Sequence, residues 1–481
     1  MNNHFPSLIA DHKDSGNTRE VRSPYDDALV GSVATVDITG VEKAMENAYA
    51  IYRDRKRWLA APKRIEILEK TAAIMRERFD ELVLEAAKEG GKPYNDTVVE
   101  VNRAIDGVLN CIECIRTNGG DVIPMNINAA SMGNIAFTQH EPIGVVVAVS
   151  AFNHPLNLIV HQVCPALAAG CPFIVKPAGT TPLSCMRFVK ILHEAGLPIE
   201  YGQALLTDNN LTATKLVTDE RVGFFSFIGS AQVGWMLKAK LAPGVRCAME
   251  HGGVAPVIVE PDADLDTTAP LLAKGGFYHA GQVCVSVQRV FAHKSIAREL
   301  ANKLVTLGKS MKIGNPIEKD TDIGPLINAQ EVERINNWVQ DAISDGAECL
   351  SGAEKLENNS YAATVLFNPS DESTISTSEI FGPVICVYSY DDMDDAIARA
   401  NSLMVSFQAA VFTQDIDKAL YAYKNLDAAT VMINNHTAFR VDWMPFAGYK
   451  HSGHGTGGIP YSFEEMQSRK MAVIKSPSIG F

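Results

Sequence analysis

Two side chains in one short stretch are suited to chemistry on a carbonyl group. Cys284 closes the sequence Gly281-Gln282-Val283-Cys284, and Glu250 stands directly ahead of His251-Gly252-Gly253. A thiolate is a strong nucleophile and a carboxylate can act as a general base. Together they can form a covalent acyl intermediate and then activate the water that removes it. Gly252, Gly253 and Gly281 let backbone come close to a bound group and tolerate the positive φ that other residues resist. Other cysteines read differently. Cys164 and Cys386 lie in apolar periodic runs, where a free thiol is a small buried hydrophobe. Cys111 and Cys114 form a C-x-x-C pair on a predicted helix, with no second pair or histidine cluster nearby, so no metal is expected.

Further candidates lie at predicted strand ends, where open α/β sheets bind ligands. Asn153 follows the apolar run 144–151; its amide either donates to a developing oxyanion or serves the turn before Pro155. Lys176 ends the next strand, as an anchor for ribose or phosphate or as a solvated lysine. Gly229 and Ser230 form a turn between strand and helix, which suits either a pyrophosphate at the helix N-terminus or a plain N-cap.

The chain has 481 residues, enough for two or three domains with cores of their own. Its 46% apolar and 21% charged content is that of a globular protein. With 43 basic against 56 acidic residues, the net charge of −13 and the lack of a basic run argue against nucleic acid as a partner. The amino-terminal stretch has no basic start followed by an apolar core, and the longest apolar runs fall short of the roughly 20 residues a membrane span needs. A cytoplasmic protein is expected, and nine cysteines fit reduced thiols there.

The elements that must position these groups follow from hydrophobic period. After short irregular strands in residues 1–40, two helices are predicted. The second runs from Pro62 to Gly90 on the face of Ile65, Leu68, Ala72, Met75, Phe79 and Leu82. A third covers 96–114 and carries Arg103. Residues 121–142 alternate loosely and predict a two-stranded ribbon, which cannot bury itself and is expected to lie on another subunit. Apolar strands then alternate with helices: strands at 144–151, 172–175, 203–206, 223–227 and 247–249, and a second series after Cys284 at 287–293, 384–388, 409–412 and 430–433. Such strands belong to buried parallel sheets, so two α/β lobes are expected.

Taken together, the residues resemble the aldehyde dehydrogenase superfamily over nearly the whole chain. Four motifs in the family's order carry the resemblance: Glu250-His251-Gly252-Gly253, Gly281-Gln282-Val283-Cys284, Glu379-Ile380-Phe381-Gly382-Pro383 and Pro445-Phe446-Ala447-Gly448-Tyr449-Lys450. The resemblance implies an α/β fold of two Rossmann-like parallel-sheet lobes plus a small β oligomerisation element. An NAD(P)-binding domain would cover 1–120 and 143–251, a catalytic domain 252–455, and the oligomerisation element 121–142 and 456–481, in a homodimer or homotetramer. Cys284 would attack the aldehyde, Asn153 and the Cys284 N–H would hold the oxyanion, and Glu250 would activate the hydrolytic water. Phe152, Lys176, Gly179, Gly229, Ser230, Glu379 and Phe381 match cofactor positions. NAD-preferring members often carry a glutamate where this chain has Gly179, so NADP is at least as plausible a cofactor as NAD. Gly457 stands near another glutamate of some relatives, which leaves deacylation to Glu250.

The segments Phe152-Asn153-His154-Pro155 and Val441-Asp442-Trp443-Met444-Pro445 are most similar to the branch of phosphonoacetaldehyde, lactaldehyde and non-phosphorylating glyceraldehyde-3-phosphate dehydrogenases. Arg103, His154 and Arg440 match its head-group positions, and Phe446 is expected to line the substrate site. The arginine expected directly before the nucleophile is Val283 instead. A dianionic head needs several charge-assisted hydrogen bonds, so a short aldehyde with a smaller anionic or polar end is expected: a semialdehyde, sulfoacetaldehyde or lactaldehyde. Alternatively, Arg103 and Arg440 form structural ion pairs. A coenzyme A-acylating enzyme and a non-catalytic structural relative are the competing classes; the intact Cys284 and Glu250 weigh against them.

Overall fold

The fold is that of a computed structural model describing residues 3–479. The expected oligomerisation element runs on to residues 480 and 481, which lie outside the described residues. Two mainly parallel sheets carry the chain. The first has the spatial order Gly453–His454, Arg246–Glu250, Val222–Ile228, Val145–Val149, Phe173–Lys176, Gly202–Ala204. The second has the order Glu348–Ser351, Thr364–Phe367, Val384–Tyr390, Arg289–His293, Pro256–Val259, Gln408–Phe412, Thr430–Ile433. The inner strands are rich in Val, Ile and Phe and buried on both faces, as parallel strands covered by helices must be. Helix Asn157–Ala169 is buried at every residue and packs on helix Tyr94–Thr117.

A third, small sheet joins Val122–Ile123, Asn134–Pro142 and Gln467–Lys475. The ribbon predicted over 121–142 supplies two of these strands, and the carboxyl-terminal segment that the resemblance joined to it supplies the third: Gln467–Lys475 pairs antiparallel with Asn134–Pro142 along its whole length.

Two expectations are corrected. The helix predicted from Pro62 to Gly90 breaks at Arg78, into Ala61–Glu77 and Phe79–Gly90. Arg78 leaves the helical region at φ −101 and ψ 24, with its guanidinium on Glu194. Neither glycine nor proline marks the break, so the apolar period runs across it unchanged. The second sheet also does not begin after Cys284. Pro256–Val259 is one of its inner strands, between Arg289–His293 and Gln408–Phe412. At four residues with a proline at its start, it is too short to declare itself by pattern.

Candidate active site

Strand register brings the candidate residues of the first lobe to one edge. Val149 pairs with both Lys176 and Phe227, and Ile228 pairs with Glu250. Lys176, Gly229, Glu250 and the Phe152–Asn153 turn thus leave adjacent strands at their carboxyl ends. The segments around Cys284 and Phe381 enter the second sheet at its amino ends, ahead of Arg289–His293 and Val384–Tyr390. The two edges face each other across the chemistry.

The turn that presents Cys284 is strained and heavily tied. His279, Ala280 and Gly281 have φ of 48°, 53° and 70° in succession. At His279 and Ala280 such conformations cost about 1–3 kcal/mol each and persist only where surrounding contacts over-determine them, while glycine adopts them freely. A methyl group on Gly281 would overlap the Gly382 carbonyl, so glycine is required there. Gln282 supplies the anchor: its Nε2 donates to Pro325 O at 3.2 Å, and its Oε1 accepts from Ile327 N at 2.9 Å. Asn153 Nδ2 donates to Gln282 O at 2.9 Å, which leaves its second amide hydrogen free beside the cysteine. Glu100 holds the backbone after Asn153, accepting from Leu156 N and Asn157 N at 3.0 Å each, and pairs with buried Lys92 at 2.5 Å.

Cys284 is half-buried. Burial pushes its thiol up to about 12; Glu379 and Glu250 add to the rise and Arg440 opposes it. Burial likewise raises the Glu250 carboxyl, and Arg440 again opposes. No hydrogen bond ties the Glu250 side chain among the described residues, and it lies over the bare Cα of Gly457. A carboxyl with a raised pKa beside a thiol is suited to moving a proton.

Beyond these groups lies a polar cluster. Arg103 donates to Asp442 through Nε at 3.2 Å and Nη2 at 2.7 Å, which commits its charge to a structural pair. His161 Nε2 lies 2.6 Å from Asp442 Oδ1, and its Nδ1 lies 3.3 Å from Arg440 Nη2. Since a guanidinium only donates, His161 is neutral with its proton on Nε2; burial keeps its pKa down, at about 4. Arg440 itself is paired with no carboxylate among the described residues. Its Nε is buried without a partner, and its guanidinium lies 3.5 Å from the centroid of the Phe446 ring. His154 Nε2 meets Tyr278 Oη at 2.9 Å, and burial keeps this histidine neutral too. Asp442, His161 and Tyr278 escaped the sequence reading. Asp442 lay within a quoted motif, but only its contacts give it a role.

The cofactor positions form a second constellation. Ser230 starts helix Ala231–Lys238 but makes no side-chain capping bond, so its hydroxyl is uncommitted. The ring of Phe381, whose φ is 48°, meets Phe152 edge-on with centroids 5.8 Å apart. Glu379 is half-buried, with Oε1 buried and unpartnered and its carboxyl pushed up to about 8 by desolvation. It occupies the space that a side chain on Gly252 would fill. Burial brings the Lys176 amine down to about 8, helped by Arg19. An orphaned carboxyl oxygen, a free hydroxyl at a helix N-terminus and a strand-end amine fit the ribose and phosphate groups of a dinucleotide. His251, where the family's motif usually has leucine, bonds through Nδ1 to Gly229 O at 2.8 Å and so braces this turn.

Fold and site define an α/β protein with a candidate cysteine nucleophile between two mainly parallel sheets. Comparison with known proteins makes the class specific. The aldehyde dehydrogenase family profile matches residues 11–472. A 3-sulfolactaldehyde dehydrogenase from Priestia aryabhattai is 34% identical over 449 residues, covering 92% of this chain and 91% of that protein. The structure of aldehyde dehydrogenase 21 from Physcomitrella patens, complexed with the reaction product succinate, is similar with a TM-score of 0.95 at 34% identity, covering 99% of each chain. A glyceraldehyde-3-phosphate dehydrogenase from Methanocaldococcus jannaschii, complexed with NADP, gives 0.91 at 32% identity, covering 97% of this chain and all of that one. The chain belongs to the aldehyde dehydrogenase family, and it is an NAD(P)-dependent oxidoreductase acting on aldehydes. None of its described helices is long and apolar enough to cross a membrane.

Proposed function

We propose that this enzyme oxidises a short aldehyde carrying one anionic group at its far end to the corresponding carboxylic acid. The observation that supports this reading is Arg440, a half-buried guanidinium near Cys284 and Glu250 with a buried, unpartnered Nε and no carboxylate of its own. A buried charge is costly unless paired, and a substrate carboxylate or sulfonate would complete it. Arg103 is already satisfied by Asp442, and Val283 offers no charge, so a single anionic head is favoured over a phosphonate. A sulfonated aldehyde in one relative's name and succinate in another's structure have such heads.

In this mechanism Glu250 accepts the Cys284 proton as sulfur attacks the carbonyl carbon. Asn153 Nδ2 and the Cys284 N–H donate to the oxyanion of the resulting thiohemiacetal, one such donor contributing about 3 kcal/mol. Lys176, Ser230, Glu379 and Phe381 would hold NAD(P)+, which would supply the hydride acceptor needed for the thiohemiacetal to become the thioester. Having released that proton to solvent, Glu250 then takes a proton from water, whose oxygen attacks the thioester and expels Cys284 as the thiolate. The strained turn keeps the sulfur in position throughout both steps. The proposal includes a cytoplasmic homo-oligomer assembled through the sheet that ends in Gln467–Lys475.

The decisive experiment compares Arg440→Ala with wild type on succinic semialdehyde and on propanal. KM is expected to rise about tenfold or more for the charged substrate alone. Equal changes for both substrates reject the head-group role.

A further inference from the structure

Gly179 lies three residues beyond Lys176 and has something unexpected above it. A methyl group built on Gly179 would overlap Arg19 Nη1 and lie 3.4 Å from Arg19 Cζ. Arg19 belongs to the amino-terminal strand Thr18–Arg22, far from any motif. Alternation along that strand puts Arg19 on the same face as Val21, which is buried in the core of the first lobe. Arg19 itself is exposed, and its guanidinium reaches across to the loop after Phe173–Lys176.

Two cations are thus held close together without an anion. Arg19 acts directly on the Lys176 amine, and no carboxylate contributes to that amine's surroundings. The neighbouring Glu20 is engaged with Arg22 at 2.8 Å. Lys176 Nζ donates to Pro177 O at 3.1 Å, and among the described residues Arg19 has no ion pair or side-chain hydrogen bond. Like charges repel, and nothing internal compensates for bringing them together at the strand end where Lys176 would meet a ribose. A dianionic phosphate accepts from a guanidinium and an ammonium at once, with geometry that favours arginine.

We propose that Arg19, with Lys176, binds the 2′-phosphate of NADP, and that the absence of a side chain at Gly179 is what lets the guanidinium reach it. The inference rests on the NAD(P)-dependent reading of the site and specifies which of the two cofactors it prefers. Arg19 is a specificity-determining residue supplied by a segment outside both parallel sheets. A glutamate at position 179 would pair with Arg19 and occupy the place of the phosphate.

The test is calorimetric binding of adenosine 2′,5′-bisphosphate and adenosine 5′-monophosphate to the full chain, with NADP and NAD affinities in parallel. Wild type is expected to bind the bisphosphate at least about tenfold more tightly than the monophosphate. Arg19→Ala is expected to cut that ratio by about tenfold and Arg19→Lys to restore part of it. Gly179→Glu, which leaves Arg19 in place, should shift the ratio toward the monophosphate as well. Equal binding of the two nucleotides by wild type, or an unchanged ratio in Arg19→Ala, overturns the assignment while NAD-dependent turnover keeps the dehydrogenase reading standing. Failure of the wild type to bind either dinucleotide overturns both.

Discussion

The carboxylate of Glu250 lies over the bare Cα of Gly457, so that a methyl group built there would overlap Oε1 and sit 2.9 Å from Cδ. The two residues are far apart in sequence, and the second makes room for the first. Gly457→Ala should therefore push Glu250 aside, since the closest atoms end a flexible side chain, while the Phe446 carbonyl at 3.1 Å must yield only slightly. Loss of general-base action predicts a fall in kcat of about a hundredfold, with the melting temperature little changed. Unaltered turnover would show that Glu250 works from another position.

Cys284 carries its own pH signature. With its thiol pushed up to about 12 by burial, the thiolate fraction of the cofactor-free enzyme is small at neutral pH and grows as pH rises. Inactivation by iodoacetamide should accelerate about tenfold per unit between pH 7 and pH 9. Arg440→Ala removes the cation that opposes the rise, so it should slow the reaction further. A rate that levels off below pH 8 contradicts this environment.

Gln282 has no predicted part in the chemistry, yet it ties the strained turn to Pro325 and Ile327. Gln282→Ala leaves buried backbone groups unpaired at about 1–3 kcal/mol each. Both the melting temperature and the rate of Cys284 acylation should drop. A variant that loses neither would place the restraint on the turn elsewhere.

Asp442 joins Arg103 and His161, and the last of these touches Arg440. Burial alone would raise its carboxyl, but the bonds from His161 and Arg103 outweigh that and hold it far below the usual carboxylate range. A depressed carboxyl contributes stability that is present above its unfolded pKa and lost as pH falls toward the folded one. Asp442→Asn should cost about 3 kcal/mol at pH 7, read as a lower melting temperature. The gap between variant and wild type should narrow only below about pH 4. A gap that closes near neutrality excludes Asp442 as its source.

The amino-acid sequence alone determined the class of the protein. Glycine pairs, a cysteine in a turn and apolar runs without alternation are local features, because backbone freedom, nucleophilicity and two-sided burial are set by the residues themselves. Thus the order of strands around Asn153, Lys176, Ser230 and Glu250 was legible, as was the expectation of two parallel sheets. Local pattern did not show the break at Arg78, which interrupts no period, or the strand Pro256–Val259, which is too short to have one. Nor did it show that Arg103 is consumed by Asp442 while Arg440 is not, or that Arg19 overhangs Gly179. Whether a charge is spent or free depends on which distant side chain lies within 3 or 4 Å of it, as Asp442 lies 2.7 Å from Arg103 Nη2. That is a property of the packed chain, decided only when strands remote in sequence are laid side by side.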